Sequence, residues 1–90
     1  YATSAKRAQT IGFDAIQIHA GHSYLILRFL LPLTNDRTDE FCGNIENRAR
    51  FAKIIVEKVR KVVGPRFPVI IRISADEFLD GDNTLEDSIK

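Results

Sequence analysis

The amino-acid sequence predicts an α/β fold in which helices alternate with parallel strands. Two observations lead to this prediction. Apolar residues recur with a helical period in some segments and a strand period in others, in the order helix, strand, helix, strand, start of a helix. That alternation is typical of βαβ units. The second strand-like run is nearly all apolar, as parallel strands are when helices cover both faces of a sheet.

The first two predicted elements are a helix and a strand. Residues 2–10, "ATSAKRAQT", predict a helix because alanine recurs every three positions, and Gly12 can take the left-handed conformation that ends helices. Residues 13–20, "FDAIQIHA", predict a strand. Its isoleucines share one face, while Gln17 and His19 share the other, as expected for a strand between outer helices and a polar interior.

The central part of the chain predicts a long connection and a long helix. Residues 20–43 hold an apolar run that Pro32 limits to a short helical turn, followed by a polar loop. From Ile45 to Val63 the apolar residues follow the i, i+3, i+4, i+7 pattern of an amphipathic helix. Asn44 is a suitable N-cap, and Gly64 can end the helix.

The last third predicts a second strand and the start of another helix. Residues 68–74, "PVIIRIS", are so apolar that we expect both faces of this strand to be buried. Thr84 is a suitable N-cap for a helix beginning "LEDSIK". Two strands are too few for a covered parallel sheet, and the chain contains no methionine. We therefore expect residues 1–90 to be one internal segment of a longer protein, incomplete on its own.

Composition and charge argue against several classes of function. Of the 90 residues 44% are hydrophobic and 28% are charged, and the net charge of +1 does not indicate nucleic-acid binding. The longest apolar run is interrupted by Arg28 and Pro32 and is too short to span a membrane. Cys42 is the only cysteine, which excludes an internal disulfide and favours a cytoplasmic location.

Four polar side chains are predicted to meet at one rim of the sheet. Active sites of α/β sheets and barrels lie at the carboxyl ends of the strands. His19 ends the first strand, and His22 and Tyr24 follow it. Arg72 lies near the end of the second strand, where a charge among apolar residues needs a partner. A substrate phosphate or an electron-rich cofactor would be such a partner.

Two long stretches carry a family resemblance. Residues 12–51, "GFDAIQIHAGHSYLILRFLLPLTNDRTDEFCGNIENRARF", and residues 67–77, "FPVIIRISADE", resemble the Old Yellow Enzyme family of FMN-dependent ene-reductases and NADH:flavin oxidoreductases. The two-histidine form is similar to the bacterial, thermophilic-type branch. The resemblance implies that the chain is part of an FMN-binding (β/α)₈ TIM barrel, with about two strands and two to three helices. It also implies that the parent protein uses NAD(P)H to reduce activated C=C bonds of α,β-unsaturated carbonyl compounds.

The resemblance also implies roles for five residues. His19 and His22 would donate hydrogen bonds to the carbonyl oxygen of the enone, where negative charge develops. Tyr24 would supply a proton to the α-carbon as general acid. Arg72 would face the N1/O2 edge of the flavin, and Gln17 would contact its pyrimidine edge.

The long connection matches the family with some departures. Arg28 stands where the family has Gln or Glu, and Ser23 stands where it has a glycine before Tyr24. Ser23 therefore adds a side chain where glycine can serve a special backbone angle. Other matching polar residues are interpreted as scaffolding that fixes the loop: Asn35, Arg37, Asp39, Glu46, Asn47 and Arg48.

Two alternative functions stay open at this point. The chain could be a non-catalytic fragment that self-associates into a homo-oligomer through exposed strand edges. It could also come from a zinc-dependent barrel hydrolase that uses His19 and His22, but zinc needs a third ligand, and Cys42 and Asp39 are remote candidates. If the chain belongs to the flavin-dependent family, we expect the isolated 90-residue chain to bind FMN too weakly to be an enzyme by itself.

Two of the site residues also have structural interpretations. Tyr24 could be a half-buried aromatic residue that covers the rim. Arg72 could form an ion pair with Asp76 or with an acid on a neighbouring strand.

Overall fold

The structure is a computed structural model that describes residues 1–90 and contains four helices and two strands. In chain order these are α1 (Ala2–Thr10), β1 (Ile16–Ala20), α2 (Leu25–Leu30), α3 (Ile45–Val63), β2 (Val69–Ile73) and α4 (Leu85–Ile89). The predicted alternation is confirmed, but the prediction of two to three helices was too low. The additional helix is α2, which ends where Leu31 becomes extended ahead of Pro32.

The two strands form a parallel sheet joined by a helical crossover. The register runs from Ile16 opposite Val69 to Ala20 opposite Ile73, with α3 lying between the strands in sequence. His19 lies opposite Arg72. Because paired residues of a parallel ladder project from the same face, these two side chains are on one side of the sheet.

The long helix α3 begins and ends where the sequence predicts. The Asn44 side chain accepts a hydrogen bond of 2.9 Å from the backbone N–H of Asn47, which satisfies one of the free donors at the helix start. Gly64 ends the helix with φ 82°, in the left-handed region that glycine adopts without steric cost. No helix of the chain combines the length and the apolar character needed to cross a bilayer.

A single small core joins β1 to the helices around it. Its buried residues are Ala5, Ile18, Ala20, Ile26, Ile55, Val59 and Val63. Ile18 and Ala20 enter this core from one face of β1, while Gln17 is exposed on the other face. The predicted two-faced character of β1 is therefore confirmed.

The prediction that β2 is buried on both faces was wrong for this structure. Ile70, Ile71 and Ile73 are 53%, 42% and 43% exposed. The reason is the extent of the sheet, because β2 pairs only with β1 and its outer edge has no neighbouring strand. An apolar strand sequence shows that both faces of the strand can be buried. Whether they are buried depends on the elements that pack against each face.

Candidate active site at the carboxyl ends of the strands

The turn after β1 brings two side chains back toward His19. His22 and Ser23 both adopt left-handed backbone conformations, with φ 53° and 56°. The N–H of Tyr24 donates a 3.2 Å hydrogen bond to the Gly21 carbonyl, which closes the turn. The helix α2 begins immediately afterwards. This tight reversal places His22 and Tyr24 over the end of the strand that carries His19.

The two imidazoles and the phenol form one compact cluster. Nδ1 of His22 lies 3.3 Å from Nε2 of His19, and the two rings are 5.2 Å apart between centroids. The Tyr24 ring meets the His19 ring edge-on at 5.4 Å. Within the histidine pair one facing nitrogen carries a hydrogen and the other accepts it. When both facing nitrogens carry a hydrogen instead, both can donate to a ligand oxygen at the position where they converge.

Arg72 is a free cation on the same face of the sheet. It is exposed, and its guanidinium forms neither an ion pair nor a side-chain hydrogen bond. The alternative ion pair with Asp76 does not form. The Asp76 carboxylate accepts a 2.7 Å hydrogen bond from the Phe78 N–H. Gln17 lies two residues before His19 in β1 and is exposed on this face as well. The sheet thus presents an amide, an imidazole and a guanidinium side by side.

An apolar groove of about 800 Å³ borders the cluster. It lies between α1 and β1, and His19 and Tyr24 stand on its wall beside Phe13 and Leu25. A few convergent polar groups next to apolar surface are the usual composition of a small-molecule site. Within this chain no group of three or more His, Cys, Asp or Glu side chains is arranged to hold a metal ion.

A buried polar network, called here the Arg48 hub, consists of Arg48, Asn83 and the carbonyls of Leu30 and Gly43. Arg48 donates to the Leu30 and Gly43 carbonyls at 2.7 and 2.5 Å and to Oδ1 of Asn83 at 2.9 Å. Asn83 also donates to the Leu30 carbonyl at 3.2 Å. The hub connects the end of α2, the start of α3 and the loop before α4. Sequence reasoning found Arg48 but missed Asn83, whose partner lies 35 residues away.

The loop before α3 is fixed by its own polar side chains. Asn35 donates hydrogen bonds of 2.7 Å to the carbonyls of both Phe29 and Phe41. Arg37 forms an ion pair with Asp39 and lies over the Phe29 and Phe41 rings. The hydrogen bond from Arg37, followed by that from the Phe41 N–H, holds the pKa of Asp39 below its ordinary value of 3.8. The scaffolding interpretation of these residues therefore agrees with their contacts.

Comparison with known proteins identifies the family. The model of the NADH:flavin oxidoreductase / NADH oxidase family matches residues 1–90. The chain belongs to this family. It is 48% identical over 81 residues to an NADPH dehydrogenase of Clostridium acetobutylicum, a match that covers 90% of this chain and 24% of that protein. The resemblance inferred from the sequence is confirmed.

Solved structures give the architecture to which the segment belongs. The chain superposes on a 2-naphthoyl-CoA reductase complex with a TM-score of 0.94 and 36% identity, over 98% of this chain and 13% of that one. It superposes on morphinone reductase with a TM-score of 0.81 and 41% identity, over 97% and 23%. These neighbours are TIM-barrel enzymes of the Old Yellow Enzyme family, so the βαβ unit is a segment of a (β/α)₈ barrel. The chain spans about a quarter or less of these proteins, and the findings do not support the zinc or non-catalytic alternatives.

Proposed function

We propose that the full-length protein carrying this chain is an FMN-dependent oxidoreductase that uses NADH or NADPH to reduce the C=C bond of α,β-unsaturated carbonyl compounds. The observation that carries this proposal is the convergence of His19 Nε2 and His22 Nδ1, 3.3 Å apart, beside the Tyr24 ring. Family membership supports the flavin and nicotinamide chemistry. The similar proteins include reductases and an NADPH dehydrogenase, which supports reduction as the reaction class.

The residues present fit a bound flavin. Arg72 offers an unpaired guanidinium, and Gln17 offers an exposed amide on the same face. Reduced flavin carries negative charge at its N1/O2 edge, and a fixed cation there stabilises the reduced state. FMN, when bound, supplies the hydride for the β-carbon of the substrate. We infer that Arg72 and Gln17 hold its pyrimidine edge.

The two histidines would hold the substrate oxygen. A neutral imidazole carries one N–H, so each ring can donate one hydrogen bond when both hydrogens are on the facing nitrogens. Binding of a carbonyl oxygen would then replace the single bond between His19 and His22 by two bonds to the ligand. Negative charge builds on that oxygen as the alkene is reduced, so these donors stabilise the transition state more than the ground state.

Tyr24 would complete the reaction with a proton. Its ring lies 5.4 Å from that of His19. Tyr24 is 64% exposed and stands on the wall of the groove. A phenol hydroxyl can protonate the α-carbon as electron density arrives there. The proton comes from the protein, while the hydride comes from the cofactor.

The Tyr24→Phe variant of the full-length protein tests this function. Reduction of 2-cyclohexenone should slow by about 100-fold or more, as expected for loss of a general acid. Reduction of the flavin by NAD(P)H should stay close to the wild-type rate, because that half-reaction does not use the proton. Stopped-flow absorbance separates the two half-reactions. Tyr1→Phe, which removes the chain's only other tyrosine hydroxyl, is the matched control. Equal slowing of both half-reactions would contradict the assignment.

We further propose that the parent protein is cytoplasmic, and that the isolated chain is inactive and self-associates into a homo-oligomer. The single cysteine supports the location. In the isolated chain, the unpaired edge of β2 and the exposed side chains of Ile70, Ile71 and Ile73 favour association between copies. Size-exclusion chromatography of the isolated chain should give a species larger than 10.2 kDa that does not retain FMN. A strict monomer, or a yellow flavin-bound chain, would contradict this proposal.

A further inference from the structure

The segment that presents His22 is held in an unfavourable backbone conformation. His22 and Ser23 are consecutive residues with φ 53° and 56°, and neither is glycine. The left-handed conformation is unfavourable for a non-glycine residue because Cβ approaches the following carbonyl oxygen. Two such residues in a row on an exposed turn need other contacts to keep them in place.

The side chain of Arg28 supplies such a contact to the turn. Nε of Arg28 donates a 3.1 Å hydrogen bond to the carbonyl of Ser23, five residues earlier. This is the only side-chain hydrogen bond that Arg28 makes, and it forms no ion pair. The backbone of Arg28 is itself fixed, because its N–H bonds the Tyr24 carbonyl at 3.0 Å and its carbonyl accepts from Thr34 Oγ1 at 3.0 Å. The guanidinium therefore connects the turn to a rigid helix.

We propose that Arg28 is a positioning residue, whose hydrogen bond to the Ser23 carbonyl holds the left-handed turn and thereby aims the His22 imidazole at the ligand oxygen. This role requires the hydrogen-bond donor at the position of Arg28 Nε, and it does not require the positive charge of the guanidinium. The proposal rests on the function proposed above for His22. Its consequence is an energetic coupling between Arg28 and the backbone angle at Ser23.

Three substitutions in the full-length protein separate the hydrogen bond from charge and size. In Arg28→Met a methyl carbon stands at the same number of bonds from Cα as Nε, so length is kept and the donor is lost. In Arg28→Gln an amide nitrogen stands at that position, so the donor is kept and the charge is lost. Ser23→Gly removes the backbone cost itself, because glycine populates positive φ freely. The probe is 4-hydroxybenzaldehyde, whose phenolate gives a long-wavelength band when stacked on oxidised FMN.

The inference predicts a specific pattern of dissociation constants. Arg28→Met should raise the Kd of the phenol about fivefold, the value of one net hydrogen bond. Arg28→Gln should stay near wild type, and adding Ser23→Gly to Arg28→Met should restore most of the affinity. The FMN content should not change in any variant. Equal weakening of phenol binding by Arg28→Met and Arg28→Gln would overturn the inference. It would also be overturned if Arg28→Met raised the Kd by the same factor whether position 23 is serine or glycine.

Hydrogen exchange tests the turn independently of the proposed function. The Tyr24 N–H, which bonds the Gly21 carbonyl, should exchange faster in Arg28→Met than in wild type and Arg28→Gln. If wild type shows no phenol band but this exchange pattern appears, the proposed function fails, and only the part of the inference in which Arg28 holds the turn stands. If the band is present and exchange in all variants is equal, the positioning role fails alone.

Discussion

The rim has one side with buried, paired polar groups, called here the closed side, and one side with exposed groups, called here the open side. On the closed side, Arg48, Asn83 and Asn35 are only 8%, 6% and 7% exposed, and each makes hydrogen bonds within the chain. On the open side, Tyr24 is 64% exposed and Arg72 has no partner. Buried polar groups stabilise a fold only when they are paired. Unpaired groups beside a paired scaffold are therefore the ones available to a ligand.

The largest expected effect comes from opening the closed side. Arg48→Met should lower the free energy of unfolding of the full-length protein by about 3 kcal/mol, because the Gly43 carbonyl, the Asn83 side-chain oxygen and the Leu30 carbonyl each lose a hydrogen bond. Urea unfolding followed by circular dichroism measures the change. Arg50→Met on the same helix is the control, since its side chain is exposed and should cost under about 1 kcal/mol. Equal costs for the two variants would remove the distinction between the sides.

A smaller effect is expected at the boundary between the two sides. A methyl group on Gly21 would lie 3.3 Å from Oγ of Ser74 and 3.4 Å from Cε1 of His19. Gly21→Ala should therefore displace the Ser74 hydroxyl by a few tenths of an ångström and bring the new methyl group into van der Waals contact with the His19 imidazole, so that phenol binding weakens only slightly while stability falls by about 1 kcal/mol. Adding Ser74→Ala removes the closer contact and should recover part of the stability. If Gly21→Ala is as stable as wild type, the position of Ser74 is less constrained than the distances imply.

The smallest effect concerns the exposed ion pair of the loop. The pKa of Asp39 is lowered, first by the hydrogen bond from Arg37 and then by that from the Phe41 N–H. A depressed folded pKa means that this carboxylate favours the fold above its ordinary value of 3.8 and loses that contribution as the pH falls through the lower folded value. Carboxyl chemical shifts by NMR should show the titration midpoint of Asp39 rising in Arg37→Gln. An unchanged midpoint would show that the ion pair does not act on this group.

The elements that local signals define were predictable from the sequence. The alternation of periods gave α1, β1, α3 and β2, and Asn44 and Thr84 cap their helices as expected. The helix α2 was underestimated because Tyr24 caps it without a side-chain hydrogen bond, so its start has no sequence signal. The exposure of β2 was missed because burial depends on neighbours that a strand's own residues do not reveal.

In the candidate site, too, the features set by local sequence were predictable and those set by tertiary contacts were not. The meeting of His19, His22 and Tyr24 followed from their position after one strand. The bond from Arg28 to Ser23 and the contact between Arg48 and Asn83 did not, because they depend on backbone angles and on a contact distant in sequence. Local patterns place residues at a rim, while tertiary contacts decide which of them stay free.

The most direct test of the central claim, that His19 and His22 together hold a ligand oxygen, is a titration of the FMN-loaded full-length protein with 4-hydroxybenzaldehyde. We expect a long-wavelength band in wild type and a dissociation constant raised about tenfold or more in both His19→Ala and His22→Ala, because each variant loses a hydrogen bond to a charged oxygen. Both variants should keep their FMN. Wild-type affinity in both variants would contradict the claim.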